Sequence, residues 1–154
     1  MEYSKDGVRV APARFGMGVF SLKQFRAHEM IGPIRGTVME DPDYESDYCM
    51  ELGENMALEP AAPFRYLNHS CHPNCELVEA EARDVDDATE VPKLWLEVLS
   101  EIAPGEQMTI DYRWPADAAI RCGCGSADCR GWIVAPEQRD QIDPRRHPEM
   151  PLAP

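Results

Sequence analysis

Basic residues are scarce in this chain of 154 residues. Lys and Arg total 15 whereas Asp and Glu total 28, so the formal net charge is −13. A protein that binds nucleic acid through its phosphates needs a basic surface that releases condensed counterions. The composition therefore argues against nucleic acid as a direct partner.

Long apolar segments and a secretion signal are also missing. No apolar run approaches the roughly 18 residues that a membrane-spanning helix needs, and residues 1–7 lack a charged segment followed by an apolar one. We expect an intracellular protein, cytoplasmic or nuclear, that is neither secreted nor bound to a membrane. The oligomeric state stays open.

Helical periodicity is weak throughout, which favours a β-rich fold with many turns. Strands are predicted within residues 7–22, around a glycine turn, and within residues 30–39, at a sharp corner. The same patterns predict a hairpin at 48–58, a short helical turn at 60–64, and buried strands at 94–99 and 107–112.

Cysteines are present, but their spacing does not suit disulfides. Cys122, Cys124 and Cys129 lie within eight residues, and thiols of an intracellular protein stay reduced. This C-x-C-x4-C cluster supplies three soft ligands for a tetrahedral Zn²⁺, and Gly123 and Gly125 allow the tight turns between them. The fourth ligand must come from elsewhere in the chain.

The densest group of ligand-forming side chains lies at residues 65–75, Arg-Tyr-Leu-Asn-His-Ser-Cys-His-Pro-Asn-Cys. Two further motifs are Gly16-Met17-Gly18 and, at residues 105–112, Gly-Glu-Gln-Met-Thr-Ile-Asp-Tyr. With the cysteine cluster, these motifs resemble the SET-domain protein-lysine methyltransferases that carry a cysteine-rich post-SET extension. The resemblance runs from about residue 8 to about residue 134, with the four motifs in the family's order.

The resemblance implies a mainly β, β-rich α+β fold. Its features would be short curved sheets, a C-terminal pseudoknot of a kind that is rare among proteins, and a post-SET zinc loop. The chain would divide into a SET domain (1–115), a post-SET zinc-binding segment (116–134) and a Pro-rich, flexible tail (135–154). Residues 81–92 would form an acidic loop between strands.

A zinc site and a cofactor site also follow from the resemblance. The zinc ligands would be Cys71, Cys122, Cys124 and Cys129, with Cys75 or His72 as alternatives to Cys71. S-adenosylmethionine would be held by Gly16, Met17, Gly18, Asn68, His69 and Trp132. Trp132 has an alternative role in packing against the zinc loop.

The resemblance assigns the catalytic role to Tyr112, whose hydroxyl would point at the site of methyl transfer. A lysine side chain is about 99.9% protonated at pH 7, and only the neutral amine can attack. A dry channel beside the sulfonium cation of the cofactor would disfavour the ammonium form. The sequence requires no dedicated general base.

Tyr48 would line the lysine channel, with Tyr66 as a competing candidate. Ile110 stands where many family members carry Phe or Tyr, so the channel would have room for higher methylation unless a residue from another strand refills the space. Residues 40–59 contain eight acidic residues and no Lys or Arg. This segment is either a solvated face or the entrance for a Lys/Arg-rich substrate.

The sequence thus predicts an S-adenosylmethionine-dependent protein-lysine N-methyltransferase with one structural zinc and a basic, histone-like protein substrate. The alternative is a non-catalytic SET-like module that binds basic peptides, and a third hypothesis is a zinc-binding interaction domain with a vestigial cofactor pocket. The Asn-His motif and the final Tyr are both intact, which favours the enzyme. No cysteine-rich region precedes the SET core, so the domain either works alone or finds its substrate through a partner.

Overall fold

The computed structural model describes residues 7–53, 55–80, 93–143 and 145, and most regular structure there consists of short strands. The strands are β1 (Val8–Pro12), β2 (Met17–Ser21), β3 (Met30–Pro33), β4 (Gly36–Met39), β5 (Met50–Gly53), β6 (Met56–Pro60), β7 (Asn68–His69), β8 (Cys75–Ala80), β9 (Lys93–Val98), β10 (Gln107–Ile110), β11 (Ile120–Arg121) and β12 (Trp132–Ile133). Short 3-10 helices span Phe64–Tyr66, Ala116–Ala118 and Pro136–Gln141. The predicted β-rich architecture is confirmed.

The strands form small sheets with the orders β1-β2-β10-β7, β3-β9-β8, β4-β6-β5 and β11-β12. All of these pairs are antiparallel except β10 with β7, which are parallel. That parallel pair joins two segments about forty residues apart in the chain, since Thr109 and Ile110 lie opposite Asn68 and His69. The pairing therefore brings two of the sequence motifs side by side.

One apolar core lies where the first three of these sheets meet. In β9, Leu94, Leu96 and Val98 are buried while Trp95 and Glu97 are half-buried, because successive side chains of a strand point to opposite faces. Val19 of β2 and Met108 of β10 are fully buried in the same core. Burying each such side chain contributes roughly 1.5–3 kcal/mol to stability.

Two local predictions differ from the structure. The helical turn predicted at 60–64 occurs at Phe64–Tyr66, because Pro60 still pairs with Gly36 at the end of β6. The strand predicted at 107–112 ends at Ile110, and Arg113 adopts a positive φ of 51°. Strand β8, which pairs with β9 along its whole length, was not predicted.

A second, smaller apolar cluster forms after the SET-like core. Ala116, Ala119 and Val134 are buried, and Trp132 and Ile142 pack against them. The 3-10 helix Pro136–Gln141 thus lies in the first part of the segment predicted as a flexible tail. The acidic loop predicted at 81–92 and most of the remaining tail lie outside the described residues. Within the described residues, no helix has the length and apolarity to cross a membrane.

Candidate active site and metal centre

The Asn-His motif and the Tyr motif meet along the parallel pair of β7 and β10. Asn68 and His69 lie opposite Thr109 and Ile110, and the Ser70 N–H donates to the Ile110 carbonyl at 3.0 Å. Tyr112 follows β10 by two residues. The three predicted site residues Asn68, His69 and Tyr112 are therefore brought together by backbone pairing.

Asn68 connects this region to the glycine motif. Its Nδ2 donates to the Met17 carbonyl at 3.0 Å and to Gln107 Oε1 at 2.9 Å. A Cβ at position 18 would lie only 2.6 Å from Gln107 Oε1 and 3.2 Å from Asn68 Nδ2. A side chain at position 18 would therefore force the Gln107 side chain to shift, and with it the hydrogen bond that Gln107 accepts from Asn68.

Gly16 has a different reason to be glycine. Its φ is +63°, a conformation that L side chains rarely adopt, and a Cβ there would meet no heavy atom within 4 Å. The neighbouring side chains Phe15 and Met17 are 38% and 41% exposed. The glycine turn therefore presents open, partly apolar surface next to the Met17 carbonyl that accepts a hydrogen bond from Asn68.

Tyr112 is anchored at two points. Its hydroxyl donates to the Leu67 carbonyl at 2.5 Å, and its N–H donates to His69 Nδ1 at 3.1 Å. The ring stacks on Trp114 with centroids 5.4 Å apart. Burial, with a smaller effect of Tyr48, raises the pKa of Tyr112 to about 12, so the hydroxyl stays protonated at neutral pH.

His69 links Tyr112 to the cysteine cluster. Its side chain is 3% exposed, and burial lowers its pKa to about 4 although Asp111 opposes this shift. The ring is therefore neutral at pH 7. Because Nδ1 accepts the Tyr112 N–H, we assign the ring proton to Nε2, which lies 3.4 Å from Cys71 Sγ.

The four predicted zinc ligands lie together. The Sγ atoms of Cys71, Cys122, Cys124 and Cys129 are all within 4.8 Å of one another, and those of Cys71 and Cys122 are 3.7 Å apart. Zn–S bonds of about 2.3 Å in a tetrahedron imply sulfur–sulfur distances of about 3.8 Å. The cluster therefore fits a four-cysteine zinc site.

Backbone donors surround the sulfurs of this cluster. The N–H groups of Arg130, Cys124 and Gly131 point at Cys71, Cys122 and Cys129, each at 3.4 Å. Such donors favour thiolates, the form that binds a metal. Burial nevertheless raises the pKa of both Cys71 and Cys122. A divalent cation would offset that cost, with release of the thiol protons.

The alternatives to Cys71 lie elsewhere. Cys75 is fully buried in the apolar core, and burial raises the pKa of its thiol to about 12. His72 is exposed, and its Nδ1 lies 3.0 Å from Asp128 Oδ2. Within the described residues, only Cys71 joins the other three cysteines.

Tyr48 and Tyr66, the two candidates for the lysine channel, share one neighbour. The Arg65 guanidinium lies 4.5 Å from the Tyr48 ring centroid and 5.5 Å from that of Tyr66. Tyr48 is 43% exposed, so one part of its surface remains open to a ligand. Sequence analysis missed Arg65, although it immediately precedes Tyr66 in the densest motif.

The loop that carries Tyr48 is tied to β6 by Glu59. The Glu59 carboxylate accepts hydrogen bonds from the Tyr44 hydroxyl at 3.0 Å and the Ser46 hydroxyl at 2.6 Å. Ser46 Oγ in turn accepts the N–H of Tyr48 at 3.1 Å. Not every acidic group of residues 40–59 therefore faces water, and Glu59 has a role within the fold.

Two other predicted site residues lie in packed surroundings. Ile110 is 4% exposed and belongs to the main core. Trp132 packs against the small cluster of Ala116, Ala119 and Val134, and the Arg121 guanidinium lies 4.2 Å from its ring centroid. These contacts are with residues on either side of the cysteine loop, so the cofactor role and the zinc-loop packing role of Trp132 both stay predictions.

Sequence analysis also missed an ion pair between Arg130 and Asp111. Arg130 Nη2 donates to Asp111 Oδ1 at 2.8 Å and to the Val134 carbonyl at 3.0 Å. Asp111 lies within the motif at residues 105–112, but no pattern in the sequence marks its carboxylate as the partner of Arg130. A basic residue next to Cys129 and an acidic residue next to Tyr112 were the available signals.

A family model described as the SET domain matches residues 16–113. Histone-lysine N-methyltransferase 2D of Homo sapiens is 28% identical over 147 residues, which cover 84% of this chain and 2% of that protein. Histone-lysine N-methyltransferase trithorax of Drosophila virilis is 30% identical over 148 residues, which cover 86% of this chain and 4% of the relative. The chain thus spans only a small part of these curated relatives.

Solved structures show the same fold. One is the crystal structure of KRYPTONITE in complex with mCHH DNA, H3(1-15) peptide and SAH, with a TM-score of 0.70 and 20% identity over 82% of this chain and 29% of that one. Another is a Plasmodium falciparum putative histone methyltransferase, with a TM-score of 0.54 and 21% identity over 70% of this chain and 93% of that one. This likeness confirms the predicted fold of short curved sheets.

Proposed function

The chain belongs to the SET-domain family, and from that membership we propose that it is an S-adenosylmethionine-dependent protein-lysine N-methyltransferase. The observation that carries the proposal is the meeting of Asn68, His69 and Tyr112 along β7 and β10, beside the cysteine cluster. The names of the relatives, all histone-lysine N-methyltransferases, support the reaction.

We propose a Lys/Arg-rich, histone-like protein as the substrate. Support comes from the relatives' names, from the H3 peptide held in the KRYPTONITE complex, and from the exposed acidic residues around Tyr48. A histone-directed activity would favour a nuclear location. The proposed division stays at residues 1–115 for the SET domain, 116–134 for the post-SET segment and 135–154 for the tail.

The proposed cofactor site comprises the glycine turn (16–18), Asn68, His69 and Trp132. When bound, S-adenosylmethionine would supply the methyl group, activated on its sulfonium sulfur. The open surface at Gly16 and the exposed side chains of Phe15 and Met17 fit such a ligand. Two KRYPTONITE complexes that contain SAH support the same cofactor.

The proposed zinc ligands are Cys71, Cys122, Cys124 and Cys129. When bound, Zn²⁺ would supply a structural cross-link between the Asn-His segment and the C-terminal segment. Neither metal nor redox chemistry is needed for methyl transfer. The contribution of the cysteines is to hold one wall of the pocket in place.

The chain's own residues would then orient a neutral amine. Tyr112 remains protonated, so its hydroxyl is a fixed dipole that can accept an N–H of the incoming amine. Tyr48 would contact the aliphatic stem, and the nearby positive charge of Arg65 would disfavour the ammonium form. Holding the reacting atoms in line can supply about 7–11 kcal/mol of the acceleration.

Incubation with labelled S-adenosylmethionine and a set of basic proteins, including an H3(1–15) peptide, tests the proposal. Mass spectrometry should find methyl groups on lysine side chains. Binding of basic proteins without any transfer would instead support a non-catalytic module. Absence of both cofactor binding and transfer would leave a zinc-binding interaction domain.

A further inference from the structure

Arg130 contacts three parts of the chain at once. Its backbone N–H points at Cys71 Sγ at 3.4 Å, while its Nη2 donates to Asp111 Oδ1 at 2.8 Å and to the Val134 carbonyl at 3.0 Å. One residue of the cysteine loop thus touches a proposed metal ligand, the end of β10 and the segment after β12.

Asp111 stands at the centre of the contacts around Tyr112. Its Oδ1 accepts the Arg113 N–H at 3.1 Å and lies 3.6 Å from His69 Nδ1. That same Nδ1 accepts the Tyr112 N–H. The Asp111 carboxylate therefore holds the backbone N–H of Arg113, and the His69 ring holds the backbone N–H of Tyr112.

The Arg130–Asp111 pair is half-buried, with side-chain exposures of 13% and 17%. Partial desolvation of the two charges offsets much of their attraction, so such a pair brings little net stability. Arg130 Nε is moreover buried without a hydrogen-bond partner within the described residues, which makes this pair a poor stabiliser. Its placement between the cysteine loop and Tyr112 suits a role in holding Tyr112 in a fixed position relative to that loop.

We propose that Arg130 and Asp111 are positioning residues that fix the backbone of Tyr112 relative to the cysteine loop. As a statement about turnover, this inference rests on the proposed function. Without Arg130, the half-buried carboxylate of Asp111 would have to move toward water to be fully solvated. Residues 111–113 would move with it, and Tyr112 would lose its alignment with the substrate amine.

The chain contains a matched control pair. Arg113 Nη2 contacts Glu137 Oε1 at 2.8 Å and Oε2 at 3.0 Å, and these side chains are 55% and 60% exposed. This pair also joins the end of β10 to the C-terminal segment, but in water. Exposed pairs contribute little to stability. Glu137→Gln should therefore change neither the exchange rate of the Tyr112 amide nor kcat by more than about fivefold.

The experiment compares Arg130→Met, Arg130→Lys, Asp111→Asn and Glu137→Gln in the whole chain. The readouts are zinc content, hydrogen exchange of the Tyr112 amide by NMR, and kcat and KM for a basic peptide. Arg130→Met should keep its zinc, accelerate exchange of the Tyr112 amide by about tenfold or more, and lower kcat by about tenfold to a hundredfold with a smaller change in KM. Arg130→Lys should recover part of both losses.

The inference is overturned if Arg130→Met has the same Tyr112 amide exchange rate and the same kcat as Glu137→Gln. It is also overturned if the loss of activity follows a loss of zinc, since Arg130 would then serve the metal loop alone. If Arg130→Met does not fold, the double variant Arg130→Met/Asp111→Asn removes both charges and should fold with kcat still lowered. The amide readout needs no methyl transfer, so it separates this inference from the proposed function.

Discussion

The hydroxyl of Tyr112 donates to an acceptor that cannot remove its proton. This acceptor is the backbone carbonyl of Leu67, and a carbonyl takes no proton at ordinary pH. The hydroxyl therefore acts as an oriented dipole, and its lone pairs can face an incoming amine. This geometry suits alignment of a nucleophile better than proton abstraction.

Tyr112→Phe removes that hydroxyl and keeps the ring packing on Trp114. Turnover should fall strongly while the affinity for the product SAH stays nearly unchanged, because the lost contact acts on the transition state. The Leu67 carbonyl loses its donor, so we expect a free energy of unfolding lower by about 1 kcal/mol. Single-turnover kinetics and calorimetry measure the two effects, and undiminished methyl transfer would remove Tyr112 from the mechanism.

The raised pKa of Tyr112 also makes a pH prediction. The folded-state pKa is about 12, above the ordinary value of 10.0, so the stability contributed by the neutral hydroxyl is fully present below about pH 10 and is lost between about pH 10 and 12. Between about pH 7 and 10, kcat/KM should rise as the substrate amine loses its proton. A fall in rate within that range that disappears in Tyr112→Phe would contradict the assignment.

Some single residues could be predicted from the sequence and others could not. The spacing of Cys122, Cys124 and Cys129 was enough to predict a metal site, because three thiols so close together suit one ion better than disulfides. The resemblance supplied Cys71. The pairings of Arg65 with Tyr48 and of Arg130 with Asp111 could not be predicted, although Arg65 and Asp111 lie within motifs. They join residues 17 and 19 positions apart through tertiary contacts that leave no local pattern.

At the scale of elements, the strands that could be predicted from the sequence are those whose side chains are regularly buried. Strands β2 and β9 were predicted because their buried side chains leave an apolar pattern in the sequence. Strand β8 was missed because only Cys75 is fully buried among residues 75–79, and the strand depends on its pairing with β9. The parallel pair of β7 and β10 was also beyond local patterns, since β7 has only two residues.

The cysteine cluster gives a prediction for the segment it organises. Cys124→Ser should lose zinc, disorder the residues that follow Arg121, and weaken SAH binding because those residues would form one wall of the pocket. Metal analysis, hydrogen exchange and calorimetry give the three readouts. Cys49→Ser, at a thiol that is half-buried like Cys124 but lies outside the cluster, is the matched control for loss of a thiol. A Cys71→Ser variant with full zinc occupancy would show that the fourth ligand is another residue.

At the scale of the whole molecule, the net charge of −13 includes acidic residues near Tyr48 whose effect on peptide binding can be tested separately. Asp43 and Glu45 are exposed on the loop that carries Tyr48. Reversing both to Lys should raise the KM for a basic peptide with little change in cofactor affinity. The KM of the wild-type protein should also rise with salt, because charges more than about 8 Å apart are screened at physiological ionic strength.

Reversing Glu76 and Glu79 to Lys provides the control for this prediction. Both are exposed on β8, in a different sheet, and the change in net charge is the same. Steady-state kinetics at several salt concentrations compares the two variants. Equal effects would mean that only the total charge matters and that the peptide enters elsewhere.

The sheet order β1-β2-β10-β7 also constrains how the molecule folds. Val19 pairs with Met108 across roughly ninety residues, and such non-local pairing is associated with folding in milliseconds to seconds. During synthesis, the β1–β2 hairpin must wait with an unpaired edge until β10 has emerged. The sheet β1-β2-β10-β7 is then among the last parts of the chain to form. Until it does, the exposed edge of the β1–β2 hairpin is the segment that a chaperone would most need to protect.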